Sequence, residues 1–265
     1  MKNIWIQALI ILATFFASYL FVRQINWMKL FHIEQISRET EAKFGKLIFD
    51  YIQTIETVIE DPEIQQPIDS MLVRICESNQ IDSKSIHLHI VKNDEVNAFA
   101  LPGQHLVIHT ALITDVESPE ELSGIIAHEL AHIQLEHVMQ KMIKEIGLAV
   151  VISIVTGDNG AGGINQALKI LSSTAFDREF EKEADLQAVK YLINSQIDPK
   201  PFASFLEKLS KSEADIPKQF YWFSTHPQST ERAQYILDSC PKDGQYNLVL
   251  TSERWKQLKS DCQTY

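Results

Sequence analysis

Ser118-Pro119-Glu120-Glu121-Leu122-Ser123-Gly124-Ile125-Ile126-Ala127-His128-Glu129-Leu130-Ala131-His132 is the stretch on which the fold turns. Pro119 suits a first helical turn, Ser118 stands where a cap is wanted, and Glu121 three residues later completes a capping box. Ile125, Ile126, Ala127, Leu130 and Ala131, with Ile133 and Leu135 just beyond, make this helix apolar almost all round, so it reads as buried. His128 and His132 are four residues apart, on one face and one turn from each other. Both imidazoles can therefore ligate one tetrahedral zinc, with Glu129 projecting beside them towards an open position. Two histidines and a carboxylate buried without such a partner would be costly. Two ligands do not fill the site. A third protein ligand is needed from elsewhere, and Glu129 is then the base that activates water for attack on a peptide carbonyl.

The run Arg178-Glu179-Phe180-Glu181-Lys182-Glu183-Ala184-Asp185 offers the missing acid. Glu181 and Asp185 share a helical face, so one can ligate the metal while the other receives the N–H of a ligand imidazole. Spacing alone does not choose among Glu179, Glu181 and Glu183, and a solvated charged face is the alternative for the run. The remaining histidines carry less. His87, His89, His105 and His109 read as exposed or hydrogen-bonded strand residues. His137, nine residues past His128, falls near the opposite side of the same helix and outside the zinc site.

Upstream lies the strand-rich part: IHLHIV (86–91), VNAFAL (96–101) and HLVIH (105–109). Leu101-Pro102-Gly103-Gln104 has the Pro-Gly centre of a type II turn, and the expectation is a small antiparallel sheet beside the active-site helix. Apolar spacing predicts an amphipathic helix over 34–60 and a second to about Ser78, and further helices at about 163–174, 177–195, 199–211 and 229–239. The apolar segment 146–157 is too short to span a bilayer. The fold class is α+β, mainly helical, with an N-terminal transmembrane helix in addition. No internal repeat appears.

That N-terminal segment is Ile4–Val22, nineteen residues without a charge, enough helix for about 28 Å of hydrocarbon. It reads as an uncleaved anchor, with a removed signal sequence as the competing reading. The organisation that follows is an anchor over 1–30, a helical lead-in over 31–69 and a catalytic domain over 70–265. A net charge of −11 with no basic stripe argues against nucleic acid as a partner. Cys76, Cys240 and Cys262 lack thiolate-zinc spacing. Cys240 and Cys262 could be bridged in an oxidising compartment, or all three can be isolated thiols.

Four separated segments, NAFALPG (97–103), HELAH (128–132), REFEKEAD (178–185) and STHPQSTER (224–232), follow the order seen in the gluzincin metallopeptidases of family 48. That family includes CAAX prenyl proteases, HtpX and BepA-like zinc peptidases, and the chain resembles its singly anchored BepA-like branch. The resemblance implies a zincin-like fold with one zinc per chain, held by His128, His132 and Glu181, and Asp185 behind a zinc-bound imidazole. It also sets His226 and Arg232 facing the zinc and the developing oxyanion, or His226 in the fourth zinc position, holding the enzyme latent. Asn97, Ala98 and Phe99 would lie along the cleft and pair with an extended substrate. The implied function is endopeptidase action on misfolded or unassembled membrane and envelope proteins. A latent, zinc-stabilised chaperone or assembly factor with His226 capping the metal is the alternative. Expected partners are unfolded or membrane-proximal polypeptides and, through the N-terminal helix, membrane lipid. The catalytic domain is expected on the extracytoplasmic, periplasmic side.

Overall fold

A computed structural model of the chain describes residues 7, 10–16, 38–158, 160–211, 222, 225–226, 230–241 and 243–265. It divides into two units, Met1–Glu39 and Thr40–Tyr265. In the first, residues 10–16 are helical, with Ile10, Ile11, Leu12, Phe15 and Phe16 all exposed. Much of the expected span Ile4–Val22 lies outside the described residues. Among the described residues, no helix is long and apolar enough to cross a membrane.

In the second unit the chain runs through α1 (Arg38–Ile55, which starts just ahead of it), β1 (Thr57–Val58), α2 (Pro62–Ser78), β2 (His87–Lys92), β3 (Ala98–Leu101) and β4 (His105–His109). It continues as α3 (Thr110–Asp115), α4 (Pro119–Gln134), α5 (His137–Ile146), α6 (Leu148–Thr156), α7 (Gly160–Ser173), α8 (Arg178–Asn194), α9 (Lys200–Lys211), α10 (Thr230–Ser239) and α11 (Ser252–Gln263). The mainly helical α+β class holds. The sheet, however, is mixed rather than antiparallel: its order is β1-β2-β4-β3, with β2 and β4 parallel and the outer pairs antiparallel.

The reason lies in two local devices. Gly103 at φ +70° makes the tight turn that returns β4 along β3, as the Pro-Gly pair requires. The preceding loop is tied down elsewhere: Asn93 accepts from the Glu95 amide at 2.8 Å, and its own backbone meets Thr110 at the end of β4. β3 is thereby carried to the far side of β4, and β4 fills the place beside β2. β3 becomes an edge strand.

The core lies between this sheet and the helices. Ile90, Leu106 and Ile108 meet Met71 and Ile75 of α2, Leu122, Ile126 and Leu130 of α4, and Phe202 and Leu206 of α9, all fully buried. Burial of one such Leu or Ile contributes about 1.5–3 kcal/mol. Two close approaches position the helices around α4. A Cβ on Gly124 would stand 2.4 Å from the Cβ of Phe202, so only glycine lets α9 lie this near. On another side, the buried small residues Ala127, Ala131, Ala184 and Ala188 keep α8 against α4.

The Ser118 hydroxyl accepts from the Glu121 amide at 3.1 Å, while the Glu121 carboxylate reaches back to the Glu117 amide, one residue earlier than a capping box predicts. Helix α4 then ends sooner than its apolar pattern suggests. Glu136 takes a left-handed conformation at φ 59°, and a new helix, α5, begins at His137. Within the segment 146–157, Leu148–Thr156 forms α6, half sunk in the unit through Val151, Ile154 and Val155. All three cysteines are free thiols, so no Cys240–Cys262 bridge forms.

Candidate metal centre

Helix α4 sets the Nε2 atoms of His128 and His132 3.1 Å apart, as the i, i+4 spacing demands. Helix α8 lies alongside and brings the Glu181 Oε1 to 3.3 Å from His132 Nε2. Of the three acids that spacing left open, Glu181 is the one at the imidazoles. Glu183 instead points outward, its side chain 63% exposed. His226, beyond α9 in the chain, inserts its Nδ1 3.2 Å from His128 Nε2 and 2.9 Å from Glu181 Oε1. Ligand atoms of His128, His132, Glu181 and His226 all lie within 4.8 Å of one another, and all four residues are buried.

These spacings suit a metal. A tetrahedron with arms of about 2.0–2.1 Å, the usual zinc–nitrogen length, has edges of about 3.3–3.4 Å. The electrostatics agree. Burial works to lower the His226 pKa, yet the facing carboxylates of Glu181 and Glu129 overcome it and raise it to about 9. Burial likewise works to raise Glu181, but His226 and Arg232 hold it well below the usual carboxylate range. A pocket that stabilises positive charge this strongly, while presenting three imidazole nitrogens and a carboxylate, has the donor set of a zinc site.

Glu129 sits beside this group, fully buried. Its Oε2 accepts from the Ala100 amide of β3 at 3.2 Å, and its Oε1 accepts from the Trp222 indole at 2.9 Å and lies 3.1 Å from His226 Nε2. Burial opposes its ionisation, but His226 and the other two imidazoles bring its pKa down to about 2. The carboxylate is charged and already engaged on both oxygens.

Asp185 meets His128 Nδ1 at 2.9 Å, on the side of the ring away from the cluster. Arg232, expected at the developing oxyanion, forks onto Asp185 through Nε (2.7 Å) and Nη2 (2.8 Å), and its Nη1 lies 2.6 Å from Glu181. The Tyr235 hydroxyl also donates to Asp185. Phe176 stacks on His132 with centroids 4.1 Å apart, and Trp222 stacks on His226 at 4.7 Å.

Asn97, Ala98 and Phe99 are buried at the start of the edge strand, and the Asn97 side chain makes no hydrogen bond among the described residues. The Trp222 amide donates to the Val96 carbonyl at 3.2 Å, just ahead of that strand. Trp222, Phe176 and Tyr235 lie two or three residues outside the segments 178–185 and 224–232, and as single aromatics they carry no signal of their own. His137 lies not on α4 but at the start of α5, beyond the left-handed break at Glu136. It does not join the donor cluster, but it folds back to lie 3.1 Å from His132.

A family model of peptidase family M48 matches residues 59–239, more than half of the chain. The chain is 25% identical over 209 residues to the beta-barrel assembly-enhancing protease of Yersinia pestis, covering 74% of this chain and 43% of that one. It is 30% identical over 172 residues to the metalloprotease LoiP of Escherichia coli (strain K12), covering 63% and 67%. It is 25% identical over 184 residues to the mitochondrial metalloendopeptidase OMA1 of Arabidopsis thaliana, covering 69% and 38%. The chain thus spans less than half the length of the beta-barrel assembly-enhancing proteases it matches. His128, Glu129, His132, Glu181, Asp185, His226 and Arg232 all fall inside the matched stretch, and the chain belongs to peptidase family M48.

Proposed function

We propose that the chain is a zinc-dependent endopeptidase that cleaves misfolded or unassembled envelope and membrane proteins. The observation that carries the reading is the buried convergence of His128, His132 and Glu181 beside Glu129. When bound, zinc polarises the scissile carbonyl and makes water more acidic. Glu129 takes a proton from water as its oxygen adds to the carbonyl carbon, then delivers that proton to the amine nitrogen as the C–N bond breaks. Asp185, 2.9 Å from His128 Nδ1, is placed to receive a hydrogen there and so to turn Nε2 towards the ligand cluster. Arg232, with its fork on Asp185 and its contact to Glu181, fixes these carboxylates and balances their charge.

In this reading an extended substrate adds to the outer edge of β3, displacing the contact of Glu129 with the Ala100 amide, with Asn97, Ala98 and Phe99 along its path. The buried amide of Asn97, without a hydrogen-bond partner among the described residues, supports this, since such a group ordinarily has one. Membrane attachment and an extracytoplasmic location belong to the proposal, supported by the uncharged segment 4–22. The Yersinia and Escherichia relatives, named beta-barrel assembly-enhancing proteases, support a protease role tied to protein assembly.

His226 favours a second reading. Its Nδ1 stands in the donor set and its Nε2 at Glu129, so the cluster can be a capped, latent centre in a zinc-stabilised chaperone or assembly factor. The decisive experiment measures zinc content and casein cleavage together. Wild type and Glu129→Gln are expected to hold one zinc per chain, and the variant to lose activity by about 10²–10⁴-fold. A Glu129→Gln protein that cleaves at the wild-type rate defeats the mechanism.

A further inference from the structure

We propose that His137 and Glu183 are positioning residues for His132, a role that rests on the metal-centre reading above. His132 turns Nε2 towards His128 Nε2 (3.1 Å) and Glu181 Oε1 (3.3 Å), which leaves Nδ1 on the opposite side of its ring. That Nδ1 lies 3.1 Å from Nδ1 of His137, and Nε2 of His137 lies 3.2 Å from Oε2 of Glu183. The row admits one assignment of protons. If Nε2 of His132 offers its lone pair to a cation, Nδ1 carries hydrogen and donates to His137 Nδ1. His137 then carries its own hydrogen on Nε2 and donates it to the Glu183 carboxylate. Each nitrogen has a single role, and the tautomer of the ligand is set from outside.

The geometry is held rather than incidental. Phe180 stacks flat on the His137 ring, with centroids 4.3 Å apart and planes at 9°. His137 is 1% exposed. The left-handed turn at Glu136 is what folds it back to a ring five residues earlier in the chain. His128 is oriented quite differently, by the buried Asp185 with Arg232 and Tyr235 behind it. The two imidazoles of α4 thus have separate supports, one sealed and one that ends in a largely exposed acid.

The test is zinc affinity by competition with a chromophoric chelator, plus the visible spectrum of the cobalt(II)-loaded protein. His137→Phe, which keeps a ring against Phe180 but no acceptor, is expected to weaken zinc by about 10–100-fold and to alter the cobalt bands. His137→Asn places an oxygen near the former Nδ1 and should recover most of the affinity. His137→Gln, whose oxygen falls nearer the former Nε2, should not. Glu183→Ala should cost less than His137→Phe, because water can replace an exposed carboxylate. Equal zinc affinity and unchanged cobalt spectra in the Phe, Asn and Gln variants overturn the inference. If the Phe variant does not fold, the Asn and Gln pair decides: tighter zinc in the Asn variant supports the role, and equality refutes it. A wild-type protein that takes up no zinc defeats the metal-centre reading itself, a distinct result.

Discussion

The indole N–H of Trp222 donates to Oε1 of Glu129 at 2.9 Å, so the carboxylate proposed to handle the proton is tied to the segment that also carries His226. Trp222→Phe removes this bond and keeps an aromatic face on His226. A buried hydrogen bond to a charged group contributes about 1.5–3 kcal/mol. The variant should be less stable by about that amount and should cleave casein roughly tenfold faster, since about 1.4 kcal/mol is a factor of ten. Parallel denaturation and cleavage assays check this. Lower stability with lower cleavage would show that Trp222 supports the active form.

His226→Ala separates enzyme from capped binding protein. Three protein ligands remain, so one zinc per chain should be retained, measured by elemental analysis. For the enzyme, cleavage of casein should rise several-fold once the fourth corner is vacated. No gain, with zinc intact, favours the assembly-factor reading.

Arg232→Ala leaves Asp185 and Glu181 buried without their principal cation. Removing one partner of such a group costs about 3–5 kcal/mol, and urea denaturation of the zinc-free protein should read a loss of that size. Arg232→Lys keeps the charge but not the fork, and should fall between. A loss under about 1 kcal/mol in the Ala variant would place the balancing charge elsewhere.

A second histidine group contributes to acid stability. His89 Nε2 lies 2.8 Å from His105 Nδ1, with Phe49 stacked on His89 and with His87, Lys46 and Asp50 nearby. Burial, together with the neighbouring histidines, lowers His89 to about 3 and His105 to about 4. The unfolded chain binds these protons near pH 6.5, whereas the folded one does not. Stability is therefore full above about pH 6.5 and falls as pH drops towards 4. After allowance for solvent at the part-exposed His89, the double variant His89→Gln/His105→Gln should lose about 1–2 kcal/mol less than wild type between pH 7 and 5. Equal losses in denaturant titrations at the two pH values would refute the assignment.

What could be read from the chain in advance was local. The i, i+4 histidines, the Pro119 entry to α4 and the Pro-Gly turn each act over a few residues, and each appears where expected. The choice of Glu181 over Glu179 and Glu183 needed the family resemblance, because helix phase alone leaves three acids. The order of the sheet was hidden because it depends on Asn93 and Thr110 meeting across 17 residues. The break between α4 and α5 was hidden for a different reason. Leu135 and Glu136 are not breakers, and a left-handed glutamate carries no signal of the kind glycine or proline gives.

One consequence follows from β4 lying between β2 and β3. The strand left outermost has backbone groups on its outer side, but Glu129 takes the Ala100 amide and the strand is buried, so an extended polypeptide, a sister copy as readily as a client, docks there only once those contacts yield. Trp222 grips the Val96 carbonyl at the head of that row. Unmasking the catalytic machinery would thus also unmask an adhesive border, so activation and self-association are coupled, and a protein freed from its restraint should be sticky as well as cutting.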